Sequence, residues 1–170
     1  VERYAIELLP KDSVVDGNIV NLEVVGETVR RAWKKMGTRI QNVALALPSA
    51  AVITKKIVVQ AGLRDQDLEF QVETEANQYI PFALDEVNLD FQIIGPNPNN
   101  PEEVELLIAA SRKEKVDDRV AAAEAAGLKP LVMDIESYAT QLAYDMIARQ
   151  LPGGGRGQTV AIVDIGAAMT

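Results

Sequence analysis

The sequence predicts an α/β protein with a smaller α+β module set into it. Three observations carry this. Residues 1–49 run strand, helix, strand, the repeating unit of an α/β layer. After Pro48 the pattern changes to strand, helix, strand, strand, helix over residues 50–127, then reverts to strand and helix over 128–150. Finally, Val160-Ala161-Ile162-Val163 runs without interruption into Asp164, as a strand buried on both faces would.

In the first stretch, Tyr4, Ile6 and Leu8 alternate with Arg3, Ala5 and Glu7, which predicts a half-buried strand over Val1–Leu9 stopped by Pro10. Asp16-Gly17 marks a turn and Asn21 is a helix N-cap. Val25, Val29, Ala32, Trp33 and Met36 recur at helical spacing, and Gly37 closes that helix. Arg30, Arg31, Lys34 and Lys35 cover its other face as solvated charge. Val43 to Leu47 is a second buried strand.

In the inserted stretch, Val52 to Val59 is a strand carrying Lys55-Lys56, and Asp65 is a helix N-cap. Leu68, Val72, Ala76 and Tyr79 share one face of the helix that Pro81 ends. Asp67, Glu69, Glu73 and Glu75 cover much of the rest, as a solvated face or as an attraction for a basic segment. Val87, Leu89, Phe91 and Ile93 alternate with Asn88, Asp90 and Gln92, the clearest strand signal in the chain. The turn-rich 95–101 and the returning strand 104–110 predict a hairpin with a long loop. Val116, Val120, Ala123 and Ala126 mark a second helix capped by Gly127. Together these give a three-stranded antiparallel sheet with helices on one face.

Leu131 to Ile135 is a short strand and Glu136 opens a helix. Gly153 to Gly157 is a hinge or a surface loop. On the residues alone, Asp164-Ile165-Gly166 either ends a strand in a turn or offers backbone N–H groups to phosphate, with the Asp holding a metal or its waters. Glu136 is equally open: a carboxylate at a helix N-terminus is favourable with the macrodipole, whatever else it does.

Composition narrows the chemistry. Hydrophobic residues make up 48% of the 170 and charged residues 25%, enough for a packed core. The net charge of −8 argues against nucleic acid and against unaided binding to an anionic membrane. No apolar stretch approaches the roughly 20 residues that span a bilayer. With no Cys and no His, disulfides, thiol chemistry, Ser-His-Asp triads and imidazole metal ligands are excluded. Carboxylates, Lys, Arg, hydroxyls and Mg²⁺ remain.

The order strand, Glu136 at a helix head, Gly-rich break, and strand ending in Asp164-x-Gly166-x-x-x-Thr170 resembles the junction between the two lobes of the actin-like ATPases. An actin-like lobe carrying an inserted strand-helix-strand-strand (SHS2-like) module is the arrangement of the division protein FtsA and its relatives. Four stretches are more specific: 43–48 (VALALP), 75–82 (EANQYIPF), 85–92 (DEVNLDFQ) and 109–113 (AASRK). They resemble the PilM family of type IV pilus assembly proteins over essentially the whole chain.

The resemblance implies a partial actin-like (ribonuclease H-like) subdomain formed by 1–49 and 128–150, an SHS2-like module over 50–127, and the first strand of a second lobe over 158–170. It implies a cytoplasmic protein, peripheral at the inner membrane through a partner. That partner is the short cytoplasmic N-terminal tail of the membrane protein PilN, held between the actin-like subdomain and the module; other inner-membrane pilus components could join. It also implies ATP and Mg²⁺ between two lobes: Asp164, Gly166 and Thr170 in the second phosphate loop, Asp164 near Mg²⁺, and Glu136 positioning the attacking water. The alternative function is a nucleotide-dependent ATPase or switch controlling pilus assembly. The family's first phosphate loop falls before residue 1 and most of its second lobe after Thr170. These 170 residues alone are therefore expected neither to hold ATP tightly nor to hydrolyse it, and to self-associate through exposed strand edges.

Overall fold

The computed structural model describes residues 2–155 and 157–165. The chain divides into two compact units, one formed by 1–48 with 117–170 and the other by 49–116.

In the first unit, strands β1 (Val14–Val15) and β2 (Asn18–Ile19) make a small antiparallel hairpin around Asp16-Gly17. Helix α1 (Leu22–Met36) follows. Its start is chemically specified: the Asn21 side chain accepts from the Val24 N–H at 3.1 Å, and Glu23 lies in the first turn. Its end is set by Gly37, whose φ of 67° a residue with a Cβ adopts only at a cost. Strand β3 (Asn42–Leu47) pairs in parallel with a strand much further along the chain, β7 (Lys129–Ile135), through a register shift between Val43 and Ala44. Helix α4 (Glu136–Ala148) leaves β7 directly.

The second unit has the order β4 (Ile53–Gln60), α2 (Asp65–Tyr79), β5 (Val87–Asn97), β6 (Asn100–Arg112). The sheet is antiparallel with spatial order β4-β6-β5. The register places Ile57 opposite Leu106, which in turn faces Ile93; Ala110 lies between Ile53 and Leu89. Period-two alternation sends these residues to one face. There Ile53, Ile57, Leu89 and Ala110 pack with Leu68, Val72 and Ala76 of α2 in a core whose centre, Leu106, is fully buried, while Ile93 near the hairpin end stays exposed.

Helix α3 (Lys113–Ala125) continues from β6 and ends at Gly127, φ 84°. The sequence places this helix in the inserted module up to residue 127, whereas the compact units divide after Val116. The physical reason lies in its small residues: Ala122 and Ala123 are buried, and Ala125 lies against Gly26 of α1 in the first unit.

Four further expectations differ. Among the described residues, Val160–Asp164 forms no strand and residues 2–9 form none either; Val1 lies outside the described residues. Tyr4, Ile6 and Leu8 are exposed, as are Val160, Ile162 and Val163. A strand is stable only on a ladder, and neither segment has a partner strand among the described residues. The hairpin loop is short: the ladder runs on to Asn97 opposite Asn100, leaving only Pro98 and Asn99 in the turn. The Asn97 side chain makes this possible by accepting from the Asn99 N–H at 3.1 Å and donating to Glu103 at 2.7 Å. Arg64, not Asp65, is the N-cap of α2, and it pairs with Asp67 at 2.8 Å.

Candidate functional site

Glu136 is the first residue of α4 and is exposed, its carboxylate at the positive end of the helix dipole. Its electrostatic neighbour is Arg119 of α3. The guanidinium of Arg119 donates to the Gly17 carbonyl at 2.8 Å, and its pKa is lowered by burial, against the opposing pull of Glu136 and Asp118. Asp164 is exposed, on a segment without ladder partners among the described residues. Gly166 and Thr170 lie outside the described residues. Among the described residues no three acidic side chains gather to hold a metal ion. A site for ATP and Mg²⁺ needs several converging N–H groups and carboxylates on the metal.

A different set of residues does converge. In the second unit, a cavity of about 300 Å³ opens where α2 ends and β6 runs into α3. Most of its lining is apolar: Ala50, Ala51, Ile53, Ile80, Val87 and Ala110, of which Ile80, Val87 and Ala110 are buried. Its mouth carries Phe82, Arg112 and Lys115.

Each wall has a local cause. Ile80 gives the last helical bond of α2, from its N–H to the Ala76 carbonyl at 2.9 Å; Pro81 cannot continue the helix and turns the chain out. Phe82 is thereby held over the end of β6, where the Arg112 guanidinium stacks 5.3 Å from its ring centroid. The Ser111 hydroxyl donates to the Ala51 carbonyl at 2.8 Å and fastens the 3₁₀ turn Ser49–Ala51 to the same strand. Lys113 Nζ donates to the Asp85 carbonyl at 2.7 Å. Glu114 lies between two cations, 3.6 Å from Arg112 and 3.3 Å from Lys115.

The cavity is at the bottom of the size range of small-molecule sites, about 300–1,000 Å³. Its chemistry suits an apolar side chain of a peptide: a dry floor, an aromatic edge, and cations at the mouth for carbonyl or carboxylate oxygens. Sequence reasoning assigned no residue to such a site. The available signal was that two of the four family-specific stretches, 75–82 and 109–113, end on it, which linear spacing does not reveal.

The family model for "Type IV pilus assembly protein PilM" matches residues 1–170, the whole chain. Among solved structures, the chain resembles one of the PilM-PilN type IV pilus biogenesis complex. The TM-score is 0.73 at 29% identity, over 83% of this chain and 42% of that one. The chain thus spans less than half the length of that relative. A second structure is the cytoplasmic domain of EpsL, an inner membrane component of the type II secretion system of Vibrio cholerae. It matches at a TM-score of 0.47 and 13% identity, over 66% of this chain and 42% of that one. The fold class read from the sequence, an actin-like α/β subdomain carrying a strand-helix-strand-strand module, agrees with the first of these structures.

Proposed function

Because the chain belongs to the type IV pilus assembly protein PilM family, we propose that it serves pilus assembly as a cytoplasmic platform that captures the short N-terminal tail of PilN. The observation that carries this is the likeness to the structure of a PilM-PilN complex, at 29% identity over 83% of the chain. The cavity between Ile80, Phe82 and Arg112 supports it physically, since it offers an extended peptide an apolar socket beside fixed cations. Among the described residues no helix is long and apolar enough to cross a membrane. On this reading the protein is tied to the inner membrane through PilN.

The experiment is fluorescence anisotropy of a labelled peptide from the cytoplasmic N-terminus of PilN, with a scrambled peptide as control. Saturable, sequence-dependent binding is expected. Phe82→Ala and Arg112→Ala are each expected to weaken it by about tenfold, the scale of an interface anchor. Equal binding of both peptides, or none by a protein folded by circular dichroism, overturns the proposal.

A further inference from the structure

Net charge hides a local reversal. Residues 28–40 carry Arg30, Arg31, Lys34, Lys35 and Arg39 and no acid, in a chain whose net charge is −8. Helix α1 sends the first four to its exposed face, and Arg39 follows in the exposed turn after Gly37. Glu27 offsets Arg30 at 2.6 Å and Glu7 offsets Lys35 at 3.3 Å. Arg31 donates only to the neutral Thr28 hydroxyl. Lys34 and Arg39 take part in no hydrogen bond or ion pair among the described residues.

At the end of α1 lies an open cavity of about 540 Å³, and of these cations Arg39 lines it. Its apolar wall is Trp33, Met36 and Ile40, and its charged lining is Arg3 and Arg39 against one acid, Glu2. The Trp33 indole N–H donates to the Ile40 carbonyl at 2.8 Å, which fixes the ring under the turn and leaves the Ile40 side chain 66% exposed. The negative end of the helix dipole accounts for Lys34 and Lys35 in the last turn. It accounts neither for Arg39 outside the helix nor for an exposed isoleucine next to the chain's single tryptophan.

We propose that the end of α1, with Lys34 and Arg39 beside Trp33 and Ile40, docks on an anionic phospholipid bilayer. Charge complementarity favours an anionic occupant. The mixture of unpaired cations with an amphipathic indole and an aliphatic tip is the chemistry of the lipid headgroup zone, where each basic residue adds to attraction and a shallow apolar group adds insertion. The choice of a bilayer over an acidic protein rests on the reading above, because capture of a short tail holds the platform close to the headgroups. The two contacts would then reinforce each other through effective concentration. The average charge argues against unaided membrane binding, but surface attraction is decided within about 10 Å, the Debye length.

The test uses the purified protein with vesicles and no PilN, so its outcome is independent of tail capture. Trp33, the single tryptophan, is the reporter. With phosphatidylglycerol vesicles a blue-shifted emission and co-flotation are expected; with phosphatidylcholine vesicles neither is. Raised salt should reverse both. The double variant Lys34→Glu/Arg39→Glu, which breaks no described contact, should lose binding by about tenfold or more while still binding the PilN peptide as before. Absence of co-flotation with phosphatidylglycerol overturns the proposal. So does binding that leaves Trp33 emission unchanged or survives the double variant. Binding of polyglutamate without binding of vesicles also overturns it, and assigns the surface to an acidic protein.

Discussion

Gly26 of α1 lies so near Ala125 of α3 that a Cβ at position 26 would stand 2.9 Å from the Ala125 Cβ and 3.4 Å from the Ala122 carbonyl oxygen. Neither neighbour is the end of a flexible side chain, so Gly26→Ala forces the helices apart. Helix propensity favours alanine by about 1 kcal/mol, against a cost of about 1–3 kcal/mol for overpacking. The expected net effect in urea unfolding is a loss of about 1 kcal/mol. Adding Ala125→Gly should relieve the contact, so the double variant should lose less than the sum of the two singles, with a coupling of about 0.5 kcal/mol or more. Strict additivity would show that the close approach carries no energy.

What could be read from the sequence was mostly local. Asn21 and Gly37 announce both ends of α1 because a cap and a left-handed turn are each one residue's chemistry. The alternation of Val87, Leu89 and Phe91 announces β5 because one face of a half-buried sheet reads as period two. The same alternation at Tyr4, Ile6 and Leu8 yields no strand in the structure, since a period says which side chains would be buried on a ladder and not that a ladder exists. The pairing of Asn42 with Lys129 was out of reach for a related reason: nothing local specifies a parallel partner so far along the chain. The cavity is the extreme case, because Ala50, Phe82 and Arg112 meet only through tertiary structure. Glu136 stands at the head of its helix as the sequence suggested, but its partner Arg119 comes from another helix.

Arg119 is half-buried against the Gly17 carbonyl and the field of Glu136. Its pKa is lowered by burial, so the unfolded chain holds that proton more tightly than the folded one. The sign is unfavourable while the group is charged. The penalty is relieved only as pH rises through the lowered folded-state value. Between about pH 5 and about pH 9 the guanidinium stays protonated in both states. Arg119→Met removes the donor to the Gly17 carbonyl but also the burial penalty of the charge, so it should cost no more than about 1.5 kcal/mol, and the same amount across that range. Urea titrations at acid, neutral and alkaline pH check this. A decrement that varies with pH would mean that a different group titrates with the change.

The resemblance to the actin-like ATPases assigns Asp164 and Glu136 to nucleotide chemistry, and that assignment can be tested directly. Neither belongs to a group of three metal-holding side chains among the described residues, and a phosphoryl group needs converging donors and a metal. With ATP and Mg²⁺ the purified chain should show no turnover above an Asp164→Ala control, and isothermal titration should find no tight binding. Turnover that is lost in Asp164→Ala would assign the chain a working nucleotide site and favour a nucleotide-driven switch over a plain platform.

The parallel pair β3–β7 is the part of the fold most exposed to association. Parallel ladders are almost always covered on both faces and flanked by further strands. Here each strand has a partner on one side only among the described residues, and Leu131 and Val132 of β7 are 67% and 55% exposed. Each free edge is a row of backbone donors and acceptors that a second chain can pair with. Multi-angle light scattering should therefore show a mass that rises with concentration. Val132→Lys, which adds a charge to the β7 edge strand without entering the core, should shift the rise to higher concentration. A strict monomer over a wide range would mean that the edges are blocked by the protein itself.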